Sequence, residues 1–228
     1  MKTRIAVVWL VFGVAVALSA VGPEASAANT TLLGSPQVRR ELVIPHAQAV
    51  EIVALLNKAA YLNQGGLAIP SQVSEELRRT NPAALHQKAL SFLTTAQKQR
   101  LQQIEWQMAG PHLFEDWNFA HRIGVTPSQS RQLRVVFDRE FKLYVRGIDQ
   151  LMESRKSWYG KLDYKRYAWK YTEYDRQFLQ VCNRRGMACQ AVVERVLTPD
   201  QKAKWKTLLG KPFDFRHLTY DIKSYPMD

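Results

Sequence analysis

The sequence predicts an all-α protein, an irregular bundle of about six to eight helices with long helices that turn back on themselves near residue 160. Three observations predict it. Eleven Gly and ten Pro in 228 residues are too few for a chain of many short strands and tight turns. Apolar residues recur at helical spacing, as in Leu133, Phe137, Tyr144, Ile148 and Leu151. Three segments also carry the same helix-start signature: Leu93-Thr94-Thr95-Ala96-Gln97, Val125-Thr126-Pro127-Ser128-Gln129 and Leu197-Thr198-Pro199-Asp200-Gln201.

The first element is an address. Lys2 and Arg4 precede the uncharged run Ile5 to Ala20, and Ala25-Ser26-Ala27 forms a small-x-small cleavage site. That is the plan of a secretory signal peptide. The run is shorter than the ~20 residues of a spanning helix, so cleavage near Ala27 is expected, an uncleaved anchor being the alternative. Export leads to the periplasm or the exterior and argues against nucleic acid as the partner of the formal +12 charge.

Residues 28–36 read as a mobile start to the mature chain. Helices follow over about 46–62, stopping near Gly65-Gly66, over about 71–79, and from Pro82 to about 92. In the next helix, about 95–109, Thr94 and Gln97 form a capping box: the Thr hydroxyl accepts from the N3 amide, and the N3 side chain reaches back to the cap amide. Gly110-Pro111 ends it, a short helix covers about 112–122, and Gly124 stops that one. Thr126 and Thr198 start two further boxes, with Pro127 and Pro199 at N1, where no amide hydrogen is missed.

The likeness continues past the cap. Eight and eleven residues beyond the leading apolar residue stand Leu101 and Ile104, Leu133 and Val136, Trp205 and Leu208. A degraded fourth copy has Ile44, Gln48, Ile52 and Leu55 at the same offsets, with Pro45 in place of Thr. The starts are unevenly spaced, which excludes a regular solenoid.

Beyond Gly160 a stricter heptad runs through Tyr164, Tyr167, Tyr171, Tyr174, Phe178 and Val181, the seam of a helix that packs on another. From Lys211 the chain reads as an extended tail packed by Phe213, Phe215 and Tyr220. The regions are therefore 1–27 signal peptide, 28–124 N-terminal helices, 125–210 long helices and 211–228 tail.

The Leu-Thr-x-x-Gln signature resembles that of the Spy/CpxP-like exported bacterial proteins. It matches at Leu93, Thr94 and Gln97, at Leu197, Thr198 and Gln201, and less fully at Val125, Thr126 and Gln129. Residues 93–129 are also similar to a group of secreted repeat proteins whose first motif continues into Arg-Leu-x-Gln-Ile, here Arg100-Leu101-Gln102-Gln103-Ile104. The resemblance implies an all-helical, cofactor-free periplasmic protein acting as a chaperone or envelope-stress modulator. This chain differs in its length, its uneven motif spacing and its aromatic-rich C-terminal half.

Chemistry is hard to find. There is no Gly-x-Ser-x-Gly, no phosphate-cradling loop and no His-Glu-x-x-His. His112, Glu115, Asp116 and His121 are the nearest thing to a metal cluster, at a spacing that matches no common site, so neither metal nor cofactor is expected. Cys182 and Cys189 stand seven residues apart, ~10.5 Å along one helix and too far for a disulfide. A bridge is expected if the helix breaks at Gly186; on an unbroken helix they are two small buried residues.

Residues 131–211 hold 19 Lys and Arg against 9 Asp and Glu. Charge and aromatic rings coincide there, and Lys165, Arg166, Lys170, Tyr171 and Tyr174 are the expected contact residues. Their partners would be unfolded or partly folded envelope proteins, or anionic envelope components. The function expected is that of a non-enzymatic binder, the alternatives being a structural envelope protein or an enzyme with an unrecognised site.

Overall fold

The computed structural model describes residues 27–63, 81–156, 168–215 and 218–220. Among them are nine α-helices and no strand: α1 (Ala27–Leu32), α2 (Pro36–Glu41), α3 (His46–Asn63), α4 (Pro82–Ser91), α5 (Thr95–Ala109), α6 (Trp117–Arg122), α7 (Pro127–Lys156), α8 (Ala168–Val196) and α9 (Pro199–Leu209). A 3₁₀ turn, Gly110–Glu115, lies between α5 and α6. The fold is all-α, and three of the nine helices are single short pieces of six residues. The expected helix over 71–79, the Gly65-Gly66 stop and the turn near residue 160 lie outside the described residues, as do Tyr164 and Tyr167. No described helix is long and apolar enough to cross a membrane.

The chain divides into two compact units, one of Met1–Met108 with Leu209–Asp228, the other of Ala109–Leu208. The 3₁₀ turn packs on both long helices and on α6, and all of these elements fall in the second unit. The described residues from Leu209 onward fall in the first unit.

In the first unit α3 packs on α4, and α1 on α4. The core joins Leu32, Leu33, Val38 and Leu42 to Ile52, Leu56, Leu90, Leu93, Leu101 and Ile104. The expected mobile start is therefore corrected: Thr30, Leu32, Leu33 and Ser35 are buried. Two leucines in the core and the Thr30 hydroxyl, 2.6 Å from His86 Nδ1, hold α1 down. The tail is anchored on α5. Arg100 Nη1 donates to Lys211 O at 2.7 Å. Gln107 Nε2 donates to Leu209 O and Lys211 O, while its Oε1 accepts from Phe213 N–H. Phe213, Phe215 and Leu218 then pack on the core. Gly210 is required at φ +66°, and a Cβ there would lie within 2.5 Å of the Gln103 side chain.

Each of the three boxes closes in both directions. Gln97, Gln129 and Gln201 N–H donate to Thr94, Thr126 and Thr198 Oγ1 at 3.3, 3.2 and 3.3 Å. The Thr amides donate back to the Gln Oε1 atoms, each at 2.9 Å. The leading Leu93, Val125 and Leu197 are all buried. The fourth copy makes the same turn without a capping side chain: Pro45 O accepts from Ala49 N–H at 2.9 Å, as Thr94 O does from Lys98 N–H.

Two of these starts follow helix ends of one type. After α6, Gly124 at φ +78° donates to His121 O, and Val125 N–H reaches back to Ala120 O. After α2, Val43 and Ile44 make the equivalent bonds to Arg40 O and Arg39 O. This is the Schellman ending, whose left-handed residue is usually Gly. Val43 occupies it at φ +53°, a costly conformation for a β-branched residue.

Candidate functional site

In the second unit α7 and α8 pack side by side. Contacts run in opposite senses along the two helices: Gln129 meets Val196, Phe141 meets Arg185 and Gly147 meets Val181. The pair is antiparallel. A Cβ on Gly147 would lie 3.1 Å from Val181 Cγ1, so the helices approach closely at that level. Leu133, Phe137 and Ile148 from α7 and Phe178, Val192 and Val193 from α8 are buried. Phe114 packs edge-on to Trp205 and Phe119, at 5.0 and 5.7 Å between centroids.

The box glutamines here have a second task. Gln129 Nε2 donates to Val196 O and to Gln201 Oε1, both at 2.9 Å. Gln201 Nε2 donates to Gly124 O at 2.6 Å and to Gln129 Oε1 at 3.0 Å. Each amide thus reaches the carbonyl just before the other motif, and the two amides bond one another. With the Thr amides added, both donors and both acceptor positions of each Gln are used. In the first unit Gln97 Nε2 reaches Leu42 O, beside the fourth copy, at 2.9 Å. The side chains of Gln129 and Gln201 are fully occupied by structure.

A charged cluster interrupts the α7–α8 seam. Arg185, on α8, is buried. Its Nη2 donates to Glu115 Oε1 at 3.0 Å, the oxygen that also meets His112 Nδ1 at 2.8 Å. The guanidinium carbon lies 5.2 and 5.3 Å from the centroids of Phe141 and Tyr144, within cation–π range. Arg185 Nε is buried without a hydrogen-bond partner. Glu140, also buried, accepts from Arg139 Nε and Nη2. Burial pushes the Tyr144 hydroxyl up to about 12, with the neighbouring Cys182 adding to the rise and Arg185 opposing it.

The cysteines correct the disulfide expectation. α8 runs unbroken through Gly186, so Cys182 and Cys189 remain two helical turns apart, and both are free thiols. Burial raises both, Cys189 to about 11, which keeps them protonated and poorly nucleophilic at neutral pH. The polar residues near α6 are used separately. His112 pairs with Glu115, Asp116 caps α6 through Asn118 N–H at 2.8 Å, and His121 lies beside Trp117. Among the described residues no group of three His, Cys, Asp or Glu is placed to hold a metal ion.

Of the expected contact residues, Lys165 and Arg166 lie outside the described residues. Lys170, Tyr171 and Tyr174 fall in the first turns of α8, where the backbone alone is described. The sequence reading missed Phe141, which is 51% exposed although its ring lies under Arg185. It also missed Glu140, which falls inside the α7 stripe that the spacing outlines, and Arg185, which takes the heptad position after Val181.

No protein-family model matches the chain, and no curated protein or solved structure matches it either.

Proposed function

We propose that the protein is an exported, all-helical binding module that holds exposed segments of other envelope proteins without a cofactor, in the manner of a chaperone or envelope-stress modulator. The observation that carries this reading is the half-exposed Phe141 ring, stacked with Tyr144 and backed by the Arg185 guanidinium. It offers an exposed apolar ring whose other side is fixed by the buried, ion-paired guanidinium, a contact that can hold an apolar stretch of an unfolded segment. The helix-start signature supports the same reading through its resemblance to the Spy/CpxP-like proteins, and the sequence features of a signal peptide support export.

The test is suppression of light scattering by a denatured model protein. Wild type should suppress aggregation at low salt, and Phe141→Ala should weaken suppression several-fold with the helical circular dichroism unchanged. Absence of suppression by wild type would leave a structural envelope protein as the better description.

A further inference from the structure

The outer face of α7 carries a feature that this reading does not use. Leu133, Phe137, Tyr144 and Ile148 mark the side of α7 that packs inward. At 100° per residue Val135, Lys142 and Arg146 point the opposite way. Val135, Leu143 and Val145 are 70%, 41% and 37% exposed. Between them stand Arg131, Arg134, Arg139, Lys142 and Arg146, all exposed. Arg134, Lys142 and Arg146 form no ion pair among the described residues, and the one exposed carboxylate of residues 131–146 is Asp138. The segment is about 22 Å long.

A protein partner is usually met by a contiguous apolar patch with charge kept to its rim. Here single apolar side chains are spread over the outer half of a rigid helix, and each has a cation beside it. That arrangement suits a soft, charged boundary. Isolated apolar groups enter the acyl edge while long basic side chains lie along it and keep their charged ends at the headgroups.

We propose that the outer face of α7 from Arg131 to Arg146 docks on an anionic lipid surface, with Val135 and Leu143 entering the headgroup boundary and Arg131, Lys142 and Arg146 meeting lipid phosphates. Phe141 lies about 100° or more around α7 from Val135, Lys142, Leu143 and Arg146, so a docked protein would keep the Phe141 edge free for a client. Asp149 and Glu153, one and two turns further on, set the C-terminal limit of the docking face.

The experiment is co-sedimentation of the protein, as purified from the cell, with vesicles of about three parts phosphatidylethanolamine to one part phosphatidylglycerol, against neutral phosphatidylcholine vesicles. Each basic side chain near such a surface is worth roughly a five-fold change in binding. Wild type should partition at least ten-fold better onto the anionic vesicles. Lys142→Glu with Arg146→Glu should remove that preference. Val135→Ser with Leu143→Ser should weaken what binding persists in high salt. Circular dichroism and suppression of client aggregation should stay at wild-type values in both variants, because neither touches the seam or the Phe141 edge. Equal binding to both vesicle types, or anionic binding untouched by the charge reversals, would overturn the proposal and leave the client-binding reading standing. Loss of client suppression in Val135→Ser with Leu143→Ser, with vesicle binding intact, would also overturn it and mark the face as a protein interface.

Discussion

Gln201→Ala should destabilise the second unit far more than loss of an ordinary helix cap. The side chain takes part in four hydrogen bonds: it accepts from Thr198 N–H and from Gln129 Nε2, and donates to Gly124 O and Gln129 Oε1. Each is worth about 1 kcal/mol net. Gly124 is exposed, so water recovers much of that bond, and about 3 kcal/mol remains. Thr198→Ala removes a single capping bond and should cost about 1 kcal/mol. For a chain of this size 1 kcal/mol shifts the melting temperature by roughly 2–4 °C, so the two variants should differ by roughly 4–8 °C. Urea unfolding followed by intrinsic fluorescence is the suitable assay, because four of the six Trp residues lie between 109 and 208. Gln129→Ala should cost a similar amount. The double variant should cost about 2 kcal/mol less than the sum of the singles, because the two amide–amide bonds are lost in either one. If Gln201→Ala were no worse than Thr198→Ala, or if the two Gln variants were simply additive, the cross-motif bonding would not be contributing stability.

Val43→Gly should stabilise the protein by about 1 kcal/mol, since a non-glycine residue in the left-handed region costs ~1–2 kcal/mol and the Val43 side chain is 80% exposed, with little burial to lose. Gly124→Ala should show the reverse sign at the matching helix end, because no atom lies within 4 Å of the added Cβ and the backbone alone is strained. Both are read as shifts in urea midpoint at constant slope. Glu105 provides a pH signature: burial pushes its carboxyl up to about 7, the hydrogen bond from Gln102 only partly offsetting the rise. The folded state then holds the proton more tightly than the unfolded chain. Stability should be greatest below the ordinary value of 4.5, fall as pH rises toward 7, and level off above it, a loss of about 3 kcal/mol. Glu105→Gln should flatten that slope, and an unchanged pH profile in the variant would place the titration elsewhere.

The helical skeleton was legible because it is encoded locally. Three residue types at fixed offsets, Thr, Gln and a leading apolar residue, announce a helix start without reference to the rest of the chain. What those offsets do not encode is which start meets which. Gln129 and Gln201 are 72 residues apart, and nothing in either motif names the other. The pairing follows from the antiparallel approach of α7 and α8, which brings Val196 to Gln129. The buried start of the chain was missed for a related reason. Residues 28–36 are small, polar and broken by Gly34 and Pro36, a loop by composition, yet Leu32 and Leu33 find a core built from residues 38–104.

The cysteines and Arg185 show how a correct rule can lead to the wrong expectation. The disulfide depended on Gly186 breaking a helix. An isolated glycine weakens a helix by roughly 1 kcal/mol, whereas Phe178, Cys189, Val192 and Val193 are buried on either side of it. Tertiary packing outweighs that local preference, the helix continues, and the thiols stay apart. Continuity of α8 is also what places Arg185 on the seam, between Phe178 and Cys189 at helical spacing. A charged residue at such a position must find a partner or a π face to be tolerated. Its partner, Glu115, comes from the 3₁₀ turn, an element whose position no periodicity reveals. The signal available in the sequence was therefore an inconsistency, two charged residues in apolar stripes, at Arg185 on α8 and Glu140 on α7. Such breaks in an otherwise consistent pattern are where functional or strained sites are expected, and the half-exposed Phe141 edge adjoins both residues.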